Sequence, residues 1–162
     1  MVKKSKPQAI ICDMDGTLAL MKGKRTPFEY NKCHRDEPNH IIIAAVLSMK
    51  KMYNCKLIIV SAREQIVYDK DVCVLDGKYM NSTDDRTIWW LNNWLGKDNW
   101  DKLFLRETGN HRKDRYVKYD LYKEKIYPHY EVICVYDDRD QVVEMWRHGA
   151  NLTCFQVADG KF

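Results

Sequence analysis

Ala9-Ile10-Ile11-Cys12-Asp13-Met14-Asp15-Gly16-Thr17 is the stretch that decides the fold. An apolar run stops abruptly at two carboxylates, a glycine and a threonine. A short apolar run bounded by turn residues reads as a strand covered on both faces, the kind that parallel sheets use. The pattern recurs twice. Lys56-Leu57-Ile58-Ile59-Val60 ends at Ser61-Ala62-Arg63, and Val132-Ile133-Cys134-Val135-Tyr136 ends at Asp137-Asp138. Leu103-Phe104-Leu105 and residues 152–157 supply two more strands.

Amphipathic segments of helical length lie between these runs. In 39–53, Asn39 is the cap, Asn54 the stop, and Ile42, Ala45, Val46, Met49 and Tyr53 form the face. Thr83 caps a second helix, with Asp84 and Asp85 in its first turn, Ile88, Leu91, Trp94 and Leu95 inward, and Gly96 at its end. Residues 113–125 form a strongly charged helix, and 139–148 a last one with Val142, Val143 and Trp146 inward. Strands alternating with helices predict an α/β fold: a Rossmann-like parallel sheet flanked by helices, one domain over 1–162. Residues 18–38 read as a loop or short flap. Val72-Cys73-Val74-Leu75 with Asp76-Gly77 reads as half of a tight hairpin, so any cap insertion is small.

Composition narrows the classes. The 162 residues are 45% hydrophobic and 31% charged, enough apolar matter for one packed core and too much for a disordered chain. The longest apolar run, 41–47, is far short of a bilayer span, and no apolar stretch follows the early lysines, so neither a membrane span nor a secretory signal is expected. Six cysteines at 12, 33, 55, 73, 134 and 154 have neither paired nor zinc-finger spacing, so reduced thiols are expected. A net charge of +4 permits a polyanionic partner without demanding one.

The carboxyl ends of parallel strands share one edge, and ligands bind there. Asp13, Asp15, Ser61, Asp137 and Asp138 should therefore converge, with Lys113 entering from the start of its helix. Several carboxylates around one lysine need a cation, and hard oxygen ligands suit Mg2+. Such a site fits phosphoryl transfer. One carboxylate would attack phosphorus, and a second, two residues on, would protonate the leaving oxygen and then activate water. Gly16 permits the turn, and Thr17 offers a hydroxyl and an amide.

Asp13-Met14-Asp15-Gly16-Thr17 resembles the first motif of the haloacid-dehalogenase-like phosphohydrolases. Val60-Ser61-Ala62-Arg63, Arg112-Lys113-Asp114 and Tyr136-Asp137-Asp138-Arg139 resemble the other three. Arg25-Thr26-Pro27-Phe28, residues 48–53, 141–147 and 156–162 are similar to the 3′-phosphatase domains of bacteriophage polynucleotide kinase-phosphatases. The resemblance implies a haloacid-dehalogenase-like fold and an Mg2+-dependent polynucleotide 3′-phosphatase. It implies Asp13 as nucleophile and metal ligand. Asp15 becomes the acid/base, its carbonyl offered to the metal, and Lys113 the phosphate neutraliser. Asp138 ligates the metal, with Asp137 as ligand or neighbour. Thr17, Arg25, Ser61, Ala62 and Arg63 fall at substrate-binding positions. One residue is inserted around Lys24–Arg25, so Lys24 stands as an alternative to Arg25, and Asn110 replaces an acidic residue of the family.

The substrate implied is a DNA or RNA 3′ end in a bacterial host cytoplasm. A homodimer and a separate kinase or ligase in the same pathway are open as partners. No G-x-x-x-x-G-K-[ST] loop occurs, so no kinase domain or 5′-kinase activity is expected. The rival readings are a phosphatase of free nucleotides and a non-catalytic nucleic-acid-binding module.

Overall fold

The computed structural model of the protein describes residues 5–161. Its centre is a five-stranded sheet in which every pairing is parallel. The strands are β1 (Gln8–Cys12), β4 (Lys56–Glu64), β7 (Lys102–Arg106), β8 (Glu131–Asp137) and β9 (Cys154–Gln156), in the order β7-β4-β1-β8-β9. The chain builds outward from β1 on one side, then crosses to β8 on the other. The strand order therefore reverses between β1 and β8, and a crevice opens at such a point beyond the strand ends.

Alternation along β1 divides the core. Ile10 and Cys12 face α1 (His40–Tyr53) and α2 (Thr83–Trp94), packing with Leu57, Ile59, Val46, Trp90 and Leu91. Ala9 and Ile11 face the other way with Val60 of β4, against Tyr122, Val142, Val143 and Trp146 from α4 (Asp140–Glu144) and the π-helical turns that extend it and α3 (Asp114–Leu121). Both faces are covered, which is why the strands read as unbroken apolar runs. All six cysteines are free thiols. No helix among the described residues is long and apolar enough to cross a membrane.

Two helix faces differ from the sequence reading. In α1 the buried residues are Ile43 and Val46, whereas Tyr53 is exposed. In α2 the buried stripe is Thr83, Arg86, Thr87, Trp90 and Leu91, while Ile88 and Trp94 reach solvent. The α2 cap is Ser82, whose hydroxyl accepts from the Asp85 amide at 3.0 Å, one residue before the expected Thr83. Asn39 does begin α1, but its side-chain amide donates to the Thr17 carbonyl at 3.0 Å instead of capping the helix.

The flap is a two-stranded ribbon, β2 (Ala19–Leu20) with β3 (Glu37–Pro38), enclosing a 3-10 helix over Tyr30–Arg35. The small insertion is the hairpin β5 (Cys73–Leu75) and β6 (Lys78–Met80), turned at Asp76 and Gly77, both with positive φ.

Candidate active site at the β1–β8 crossover

Register brings the first groups together. Cys12 pairs with Tyr136 across β1 and β8, so Asp13 and Asp137 leave the two strand ends side by side. The Asp13 amide donates to the Tyr136 carbonyl at 2.9 Å, carrying the ladder one residue further. Beyond it the chain turns on the Met14 carbonyl, which accepts from Thr17, Leu18 and Ala19. Gly16 takes φ +88° there, and a Cβ on it would stand 2.1 Å from the Asp138 carboxylate. Only glycine lets the two loops approach so closely.

Asp13, Asp137 and Asp138, all buried, each offer a carboxylate oxygen, and these lie within 4.8 Å of one another. Lys118 from α3 reaches in: its ammonium donates to Asp13 Oδ1 at 2.6 Å and to Asp137 Oδ2 at 2.7 Å. Trp146 donates its indole N–H to the same Asp137 oxygen at 3.2 Å, so a core side chain fixes this carboxylate. Thr17 donates its hydroxyl to Asp138 Oδ1 at 3.4 Å. The sequence reading placed Lys113 in this role, and the structure corrects it. Lys113 is the exposed cap residue of α3 and touches none of the carboxylates. Lys118 lies one residue after buried Val117, on the inward side of the helix. A charge interrupting the inward stripe of Val117, Leu121 and Tyr122 was the available signal.

Three carboxylates around one ammonium leave excess negative charge in a dry place. Burial pushes the Asp13 carboxyl well above the usual range, against the pull of Lys118, with Asp137 and Asp138 adding to the rise. Burial and Asp137 push Asp138 up to about 6. Burial opposes the charge on Lys118, but Asp13 and Asp137 outweigh it and raise the ammonium far above its ordinary value. Converging carboxylate oxygens with uncompensated charge are a donor set that fits a hard divalent cation.

Asp15 points elsewhere. It pairs with the Arg25 guanidinium and takes two bonds from Arg63, at 2.9 and 2.8 Å. Asp36, which the sequence reading missed, closes the set from the far side: Arg25 reaches it at 2.8 and 2.7 Å and Arg63 at 2.9 Å. Both guanidiniums and Asp36 are fully buried. Two arginines and two carboxylates balance, with Asp15 partly open to solvent, which is what makes burial of the other three charges tolerable. Burial works to raise the Asp15 pKa, but Arg63 and Arg25 overcome it and hold the carboxyl below its usual range. Lys24, the alternative to Arg25, sits at the surface paired with Glu37 at 3.0 Å.

Ser61 is buried inside β4, its hydroxyl accepting from the Arg63 amide at 3.2 Å, and the Ala62 carbonyl accepts from Arg106 at 2.9 Å. β4 runs past the expected end at Val60 through a register shift between Ser61 and Glu64. Arg106 and Arg139 both pair with Asp114, tying β7 and the β8–α4 loop to the start of α3. No periodicity in the sequence marks this pairing.

The chain is similar to known proteins over nearly its whole length. A family described as the polynucleotide kinase PNKP phosphatase domain matches residues 7–162. A curated relative from Autographa californica nuclear polyhedrosis virus, described as "putative bifunctional polynucleotide kinase/RNA ligase", is 28% identical over 151 residues, 93% of this chain and 19% of its own length. A chain of the Pnkp1/Rnl/Hen1 complex superposes with a TM-score of 0.80 at 34% identity, over 99% of this chain and 49% of that one. A chain of the Pnkp1/Rnl/Hen1 RNA repair complex gives 0.81 at 35%, over 99% and 45%. The chain thus spans at most about half the length of these relatives.

Proposed function

Because the chain belongs to the family of polynucleotide kinase PNKP phosphatase domains, we propose that it removes the 3′-phosphate from nucleic-acid ends, leaving a 3′-hydroxyl, through a phosphoryl group carried on Asp13. The observation that carries this reading is the buried cluster of Asp13, Asp137 and Asp138 around Lys118 at the point where the strand order reverses. A non-catalytic binding module would have no use for so costly a set of buried charges.

The chain's residues divide the work. Lys118 holds Asp13 Oδ1, which leaves Oδ2 as the oxygen to attack phosphorus. In the first half-reaction an Asp13 oxygen bonds to phosphorus, the bond from phosphorus to the 3′-oxygen breaks, and that oxygen takes a proton from Asp15. In the second, Asp15 takes a proton from water as its oxygen bonds to phosphorus. The Asp13–phosphorus bond breaks and inorganic phosphate leaves. Arg25 and Arg63 keep Asp15 ionised at rest, the form the second half needs. A phosphate dianion beside Asp15 pulls against them and favours the protonated form that the first half needs. Mg2+ held by Asp13 and Asp138, with Asp137 beside them and the Asp15 carbonyl as a further ligand, would neutralise phosphate and carboxylate charge.

The relatives' descriptions suggest the setting. One combines a polynucleotide kinase with an RNA ligase, and the others sit in an RNA repair complex. A 3′-hydroxyl is the nucleophile that a ligation step consumes, so this chain would act beside kinase and ligase activities. The deciding experiment is phosphate release from matched 3′-phosphorylated DNA, RNA and mononucleotides with and without Mg2+. Release from oligonucleotides only with Mg2+ supports the reading. Faster release from mononucleotides would favour a nucleotide phosphatase.

A further inference from the structure

One exposed ring stands on the segment that Arg25 anchors. Phe28 is 82% exposed, the highest value among the large hydrophobic side chains of the described residues. It stands on the flap segment 22–28, in which only Arg25 is buried. That one anchor ties the segment to the chemistry. The Arg25 guanidinium, while paired with Asp15, also donates to the carbonyls of Thr26 at 3.2 Å and Pro27 at 3.3 Å. The peptide that precedes Phe28 is thus one guanidinium away from Asp15.

The segment is also fixed in shape. The Thr26 amide donates to the Glu29 carboxylate at 2.8 Å, the Glu29 amide to the Thr26 carbonyl at 3.2 Å, and the Tyr30 amide to the Phe28 carbonyl at 3.0 Å. Pro27 restricts the backbone further. Two residues on, half-buried Tyr30 lies in the field of Asp15, Arg106 and Asp114. The segment that carries Phe28 therefore borders Asp15 through Arg25. A rigid rim that holds an aromatic ring out in water gains nothing for folding.

The carboxylate cluster has groups for phosphate and none for a base, so the base of a terminal nucleotide must lie outside it, at the rim. We infer that the Phe28 ring is the platform on which the base of the 3′-terminal nucleotide stacks. The inference rests on the 3′-phosphatase reading. Stacking accepts any base, since each has a π-face, and this suits an enzyme that must process ends of any sequence.

The test uses the full chain with Mg2+ and two 3′-phosphorylated oligonucleotides, one ending in adenosine and one ending in an abasic residue. Phe28→Ala raises KM for the adenosine end about 5- to 100-fold, the range that base–aromatic stacking supplies, and leaves kcat nearly unchanged. Phe28→Trp restores the KM. The unaltered protein loses a similar factor on the abasic end, where Phe28→Ala adds no more than about twofold. Equal effects of Phe28→Ala on both ends, or none on either, would overturn the platform and leave the phosphatase reading intact. Release of phosphate from glycerol phosphate but from neither oligonucleotide would overturn the nucleic-acid reading, and the platform with it.

Discussion

The Lys118 ammonium lies 2.6 Å from Asp13 Oδ1 and bridges it to Asp137, joining the middle of α3 to the ends of two central strands. This bridge places a positive charge beside the carboxylate proposed to receive the phosphoryl group, in a site too dry for water to screen it. Preorganised charge of this kind is worth far more than the same charge at a surface.

It follows that the two lysines of α3 separate in a mutational test. Lys118→Gln lowers kcat by about 10²- to 10³-fold, the loss typical of removing one preorganised donor. Lys113→Gln, at the exposed start of the helix, keeps kcat and at most weakens oligonucleotide binding as salt rises. Steady-state kinetics at low and physiological salt on both variants provide the check.

Asp36 never touches Asp15, yet it should control it. With Asp36→Ala, Arg25 and Arg63 face a single carboxylate, and one buried charge is left uncompensated. Breaking such a pair costs about 3–5 kcal/mol, which lowers the melting temperature by roughly 10 °C in a domain of this size. Asp36→Asn, which keeps the shape, is expected to lose less stability but still slow turnover, because Asp15 is held less firmly. Thermal melts alongside kcat measurements distinguish the two effects.

Gly160 clamps the loop that carries Asp138. Gly160 packs so that a Cβ would stand 2.1 Å from the Asp138 carbonyl oxygen, while the Asp140 amide donates to the Gly160 carbonyl at 3.1 Å. Gly160→Ala must move backbone, at a cost of about 1–3 kcal/mol, and displaces Asp138. Its Mg2+ requirement should rise several-fold by titration of activity. Gly149→Ala, whose Cβ would meet only ordinary contacts, should leave that requirement unchanged.

Far from the site, Asp101 gives stability a pH dependence of known sign. Burial works to raise its pKa, but Lys50 at 2.7 Å, Lys56 at 2.9 Å and the Leu57 amide at 2.9 Å outweigh it, so the folded value lies below the unfolded one. The ion pairs contribute fully above the unfolded pKa of about 3.9, and the contribution fades as pH falls through the lower folded value. Asp101→Asn should therefore cost about 1 kcal/mol at pH 7, with the difference from the unaltered protein shrinking below pH 4. Denaturant melts across pH 2.5–7 (roughly the span of the two states' titration) measure it.

What the sequence disclosed follows from what periodicity can carry. The meeting of Asp13, Asp137 and Asp138 was legible because each stands at the end of an apolar strand, and a parallel sheet sends all such ends to one edge, whereas Asp15, expected with them, turns to Arg25 and Arg63. Lys118 was not, because position at a helix start favoured Lys113, whereas the structure selects by helix face. Asp36 sits in a polar flap without a period, and its meaning appears only when Arg25 and Arg63 converge on it. Leu91 and Leu95 line the core as expected, but Trp90 joins them in place of Ile88 and Trp94, because the α2 face is set by packing against the 3-10 helix and the sheet. The clustering of tryptophans left that face ambiguous. Ser61 was expected just after a strand, and an irregularity within β4 places it inside one.

Whether Asp13 carries the phosphoryl group is read out by mass spectrometry of the protein quenched in acid during turnover of a 3′-phosphorylated oligonucleotide with Mg2+. One phosphoryl adduct is expected on the peptide holding Asp13, absent from a folded Asp13→Asn variant that also releases no phosphate. Phosphate release by Asp13→Asn at the unaltered rate, or an adduct on another residue, would contradict that role.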